Sequence, residues 1–149
     1  MRRGLVRIVA VAALTIGLAA TTVAAATPAS AQFRRAKMLS WVNHSRVEHH
    51  VHRLRMVRPV VGLAHDHNLA MARKQRLFHS TDLGYKLRSY SWHSWGENVG
   101  AGVTPYGLFK AYMASPEHRA NMLSNGFDRV GISFVERHGV LWSTLIFYG

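Results

Sequence analysis

Two imidazoles and one carboxylate, those of His79, Glu97 and His118, are the groups in this chain best suited to chemistry. Two histidines and a glutamate are the ligand set of many zinc centres that keep a fourth position for water. The same groups can serve a plainer purpose, because a carboxylate between histidines holds loops together through charge-assisted hydrogen bonds. They stand 18 and then 21 residues apart, so only the tertiary fold can bring them together. Ser80 and Ser115 put hydroxyls near two of the histidines and raise a serine-hydrolase reading. No nucleophile elbow is present and no Asp stands behind a histidine, which excludes it. The run containing His49, His50 and His52 lacks an acidic partner and reads as a solvated helix face. His65 and His67, two apart on a helix, point to different faces and do not chelate as a pair.

The elements that must position these groups can be read from their ends. Ser115-Pro116-Glu117-His118 has the form of a helix start. Ser115 is a good N-cap, Pro116 suits the first helical position, and Glu117 faces the positive end of the dipole. His118 then falls at the third position, where the dipole favours a neutral ring. Ser124-Asn125-Gly126 ends that helix. Glu97 lies between Gly96 and Gly100, read as glycines that permit an awkward backbone. Helical spacing of apolar residues predicts a first helix from Met38 to about Arg53, after a basic lead-in at 32–37. A second helix starts near Pro59, with Val60, Leu63, Ala64, His67, Met71 and Gln75 along one stripe. Residues 80–95 read as an irregular, aromatic connection, and Thr104-Pro105 opens a third helix to about Ala114. The period then changes to two: Val130, Ile132 and Phe134 mark a half-buried strand. It turns at Arg137-His138-Gly139 and returns from Val140 to Tyr148. Helices followed by a terminal hairpin predict an α+β fold.

Taken in order and spacing, these signals resemble the CAP superfamily (cysteine-rich secretory proteins, antigen 5, pathogenesis-related 1), in its compact bacterial secreted form. The resemblance runs from about Ser40 to Gly149. Asn43 and Arg46, His79, Gly96-Glu97-Asn98 and the Ser115-Pro116-x-His118-Arg119-Ala120-Asn121 run carry it. So do Val130-Gly131-Ile132 and the aromatic strand from Leu141-Trp142 to Phe147. It implies a three-layer α-β-α sandwich around a small antiparallel sheet, with His79, Glu97 and His118 in one cleft as candidate zinc ligands. It further implies a second acid near the third helix. Residues 105–114 contain no Asp or Glu, which leaves that position empty or filled by Ser115 or water. Asn98, Ser115, Arg119 and Asn121 are the residues expected to support the cleft, the last two by bracing the loop around Glu97.

Arg2, Arg3 and Arg7, the apolar run from Leu5 to Ala26 and the Ala29-Ser30-Ala31 site read as a signal peptide over residues 1–31. A membrane anchor is the rival reading of that run. Residues 32–149 then form one secreted, monomeric domain without a later span. The chain has no cysteine although export permits disulfides, so packing must hold it, with Trp41, Trp92, Trp95 and Trp142 as large contributors. The segment 1–31 holds three of the 19 Lys and Arg and none of the seven acids, so residues 32–149 carry 16 − 7 = +9. That balance favours lipid head groups or anionic wall and surface polymers as partners. Nucleic acid is excluded by the exported setting and the lack of a readout motif. Two classes follow: an extracellular binding module for a lipid, wall polymer or host component, or a metal-dependent extracellular hydrolase of peptidase type. The missing second acid leaves the hydrolase without an evident general base, so the chain reads as a binding module rather than an enzyme.

Overall fold

The structure is a computed structural model and describes residues 28–149. The charged start and apolar run assigned to the signal peptide lie outside the described residues. Among the described residues no helix is long and apolar enough to cross a membrane.

The first helix, α1 (Pro28–Glu48), begins ten residues before Met38 and absorbs the basic lead-in. Ala29, Ala31, Gln32, Arg34, Arg35, Ala36 and Lys37 are nearly all strong helix formers, so nothing stops the helix from extending upstream. Its buried face is Met38, Val42, Ser45 and Arg46. It stops at Glu48 rather than Arg53, because His50 takes a left-handed φ of 58° and Val51 N–H reaches back to the Arg46 carbonyl. A two-residue strand β1 (Arg55–Met56) leads into α2 (Arg58–Lys74), whose buried stripe is Val60, Ala64, His67, Asn68, Met71 and Ala72. The connection to the next strand contains one short turn of helix, α3 (Leu83–Lys86). Then come β2 (Trp95–Gly102), α4 (Pro105–Ala114), α5 (Pro116–Leu123), β3 (Arg129–Arg137) and β4 (Val140–Tyr148). The β3–β4 turn is His138-Gly139, with φ of 53° and 72°, the positive pair that a tight hairpin needs.

The sheet order is β1-β3-β4-β2. The β2, β3 and β4 strands pair antiparallel, as expected, but β1 pairs parallel to β3, so the sheet is mixed. Both faces are covered. Val130, Ile132 and Phe134 with Leu141, Leu145 and Phe147 pack on α1, α4 and α5. Trp142, Ile146, Tyr148 and Val99 face the other way, onto α2 and the buried Leu83 and Leu87. The β3 strand is therefore not half-buried: Gly131 and Ser133 are buried along with their neighbours. The result is the three-layer α-β-α sandwich. Trp142 lies in its core, whereas Trp95 is 41% exposed and contributes less than expected.

Arg46 fastens one end of the sandwich. It is fully buried, and its guanidinium donates to the carbonyls of His52, Met122, Ser124 and Phe127 at 2.7–3.0 Å. Met122 and Ser124 close α5, so a cation meets the negative end of that helix. Asn43, one turn earlier, exchanges two hydrogen bonds with the backbone of Leu54.

Candidate functional site

Glu97 sits on β2, an edge strand in the sheet order. Successive side chains of a strand point to opposite faces. Glu97 therefore faces α2, and Asn98 faces α4 and α5. The Glu97 side chain is only 3% exposed. A buried carboxylate needs donors, and the segment just past α2 supplies three. Ser80 N–H donates to Oε1 at 2.8 Å, the Ser80 hydroxyl to Oε2 at 2.7 Å, and His79 Nδ1 to Oε1 at 2.9 Å. His79 itself is 60% exposed, so the edge of its ring away from Glu97 is open to solvent.

A third histidine stands behind this pair. His67 is buried on α2 and its Nε2–H donates to the Phe78 carbonyl at 2.8 Å, while that nitrogen lies 4.0 Å from Glu97 Oε2. Its Nδ1 is 3.2 Å from the Ser80 hydroxyl. Phe78 packs edge-on against its ring at 5.1 Å. His67 does not chelate as a pair with His65, and its role is with Glu97 and Ser80 instead. Its place in an otherwise apolar helical stripe was the available signal, because a polar group on a buried face must find partners.

On the other side of β2, α5 brings in His118, at the third position of the helix after Pro116. The Ser115 hydroxyl does not cap that helix; only the Ser115 carbonyl is used, accepting from Arg119 N–H at 2.8 Å. Asn98 Nδ2 donates to the His118 carbonyl at 3.0 Å, and Asn121 Nδ2 donates to Asn98 Oδ1 at 2.9 Å and to the Glu97 carbonyl at 3.3 Å. The His118 ring meets Tyr112 edge-on at 5.2 Å. Burial pushes the His118 imidazole below its usual range, and a charge on nearby His79 pushes the same way, against the pull of Glu117. The neutral ring anticipated from the helix dipole thus rests on burial first. Arg119 points elsewhere: its guanidinium meets His49 Nε2 at 2.9 Å, tying α5 to the end of α1 rather than bracing the Glu97 segment.

The glycines that flank Glu97 serve space rather than an unusual backbone, since neither has a positive φ. A Cβ on Gly96 would lie 2.7 Å from Asn121 Oδ1, and one on Gly100 the same distance from the Tyr112 hydroxyl. Gly-Glu-Asn-Val-Gly is therefore a strand over which two helices can pass closely.

These residues do not fit a three-ligand zinc centre. Among the described residues no three His, Cys, Asp or Glu side chains are grouped as metal ligands. Both Glu97 oxygens already accept strong hydrogen bonds from Ser80 and His79. What the arrangement offers is a rigid ledge at the sheet edge, with the exposed His79 imidazole on it and the His118 ring on the adjoining helix.

Among curated proteins none matches the chain. Its fold is found in solved structures. An outer surface protein of Borrelia burgdorferi superposes with a TM-score of 0.72 at 12% identity, covering 78% of this chain and 92% of that one. An extracellular protein containing an SCP domain from Bacillus anthracis gives 0.72 at 20% identity, over 83% of this chain and 44% of that one. A cysteine-rich secretory protein from Staphylococcus aureus gives 0.67 at 21%, over 82% and 40%. The chain thus spans less than half the length of the latter two. The model of the cysteine-rich secretory protein family matches residues 31–145. With that match, and the α-β-α sandwich that carries His79, Glu97 and His118 around its edge strand, the chain belongs to the CAP family.

Proposed function

We propose that the protein is an extracellular binding module whose ledge of His79 and His118 recognises a polar or anionic group on a lipid, wall polymer or host component. The state of Glu97 carries this reading. Both oxygens of this carboxylate are occupied by hydrogen bonds from Ser80 and His79 and the group is shut away from water, so neither oxygen is placed to meet an attacking water. It fixes the orientation of His79 and leaves the other edge of that ring for a ligand. Rigid, pre-formed polar groups of this kind favour binding by reducing what must be ordered on association. The secreted setting is supported by the Ala29-Ser30-Ala31 signal and by the extracellular relatives that share the fold.

The test is cosedimentation of the purified protein with insoluble wall polymer and with phosphatidylglycerol vesicles, beside an unbiased peptide and glycan cleavage screen. Binding that falls in His79→Ala supports the module, with its thermal unfolding measured to show that the variant is folded. Turnover in the screen that disappears in Glu97→Gln would replace the module by the hydrolase.

A further inference from the structure

We propose that a second site, remote from the ledge and independent of the reading above, binds an amphiphilic phosphate ester in a groove between α1 and the start of α2. The groove encloses about 500 Å³, within the roughly 300–1,000 Å³ usual for small-molecule sites. Gln32, Arg35 and Leu39 line it from one face of α1, Met56 from β1, and Arg58 and Val61 from α2. Residues three and four apart share a helix face, so each helix presents a cation together with an apolar neighbour. Leu39 and Met56 pack on the core and give the groove an apolar floor.

The charge there is unbalanced. No acidic residue lines the groove. Nearby cations do have acidic partners: Arg34 pairs with Glu136 at 2.9 Å, and Asp128 takes Arg129 at 3.1 Å and Arg55 at 3.7 Å. Among the described residues Arg35 and Arg58 pair with no carboxylate. Two arginines lining one cavity suit a phosphate, which presents several oxygens to N–H donors, better than a single carboxylate. An inorganic anion would leave the apolar floor uncovered. The occupant that satisfies both halves is a phosphate ester with a short apolar chain.

Isothermal titration calorimetry with hexyl phosphate tests this, using the purified protein and its Arg35→Gln, Arg58→Gln, Arg88→Gln and His79→Ala variants. All four positions are exposed or half-buried, and circular dichroism checks the folding of each variant. Hexyl phosphate should bind the wild type, and each groove variant should lose roughly tenfold or more in affinity, the scale of one hydrogen bond to a charged group. Arg88→Gln should bind as the wild type does. Hexanol, which lacks the phosphate, and inorganic phosphate, which lacks the chain, should each bind at least roughly tenfold more weakly, the scale of one charged hydrogen bond and of about two buried methylenes respectively. Vesicles of phosphatidylglycerol distinguish the source of the head group: retention sensitive to Arg35 and Arg58 identifies a membrane lipid, and its absence beside hexyl phosphate binding identifies a soluble ester. No heat with hexyl phosphate would overturn the proposal. So would an equal loss in Arg88→Gln, which marks bulk charge, or a loss confined to His79→Ala, which places the ligand on the ledge.

Discussion

Arg46 shows how much one buried side chain can organise. An ionised group in the interior is costly unless its hydrogen-bonding capacity is met, and burial indeed lowers the affinity of this guanidinium for its proton. Four carbonyls meet it here, drawn from the turn after α1, the end of α5 and the approach to β3. Replacing Arg46 by Met would keep much of the stem's packing and leave those carbonyls without their donor. We expect Arg46→Met to lower the unfolding free energy by roughly 2–3 kcal/mol, the scale of leaving buried acceptors without their donor, read from urea denaturation. Arg46→Lys should recover only a minor part, because an ammonium cannot reproduce the planar fork. A loss below about 1 kcal/mol would mean that water replaces the guanidinium at little cost. Glu97 follows the same rule with the opposite charge. Its donors are local to Ser80 and His79, and their convergence on a strand 17 and 18 residues away could not be read from spacing alone.

At the scale of elements, what could be read in the sequence had local signals. The α4 and α5 helices begin at Pro, and α4 carries a working cap in which Thr104 Oγ1 accepts from Gly107 N–H at 3.0 Å. The β3–β4 hairpin announced itself by alternation and its His-Gly turn. The parallel β1 strand did not, since two residues carry no periodicity, and its pairing with β3 depends on where α1 and α2 pack. The start of α1 lies upstream of the expected Met38, because the basic residues of the lead-in favour a helix. The role of Gly131 also lay beyond local reading. A Cβ there would stand 2.5 Å from the Val60 carbonyl carbon, so α2 lies against β3 at a distance that only glycine allows. Backbone cannot swing aside as a long side chain can. Gly131→Ala should cost near the upper end of the roughly 1–3 kcal/mol range for overpacking, seen as a fall in thermal midpoint. Gly139→Ala has open space around its Cβ but a φ of 72°, and should destabilise through backbone strain alone. An unchanged midpoint for Gly131→Ala would show that α2 can retreat from the sheet.

For the molecule as a whole, the lack of cysteine and the excess of positive charge act together. The fold is held by two covered sheet faces, so its surface is free to carry a net +9 over residues 32–149, from 16 basic and seven acidic residues. Several of those acids are already engaged: Glu97 with His79, Asp128 with Arg129, Glu136 with Arg34, and Asp82 with Lys86. The surplus is therefore cationic, and an anionic surface should attract the protein at a distance before any specific contact forms. Such attraction is screened over about 10 Å at 0.1 M salt and about 3 Å at 1 M. Retention on phosphatidylglycerol vesicles should then be strong at about 0.1 M, nearly absent at about 1 M, and absent on neutral phosphatidylcholine at either concentration. Binding to the ledge or the groove is short-range and hydrogen-bonded, so it should weaken less over the same range. Measuring vesicle retention and hexyl phosphate affinity across one salt series separates the two contributions. Retention that persists at high salt in the wild type and equally in Arg35→Gln, Arg58→Gln and His79→Ala would assign surface binding to apolar contact instead, and the net charge would then have no part in holding the protein there.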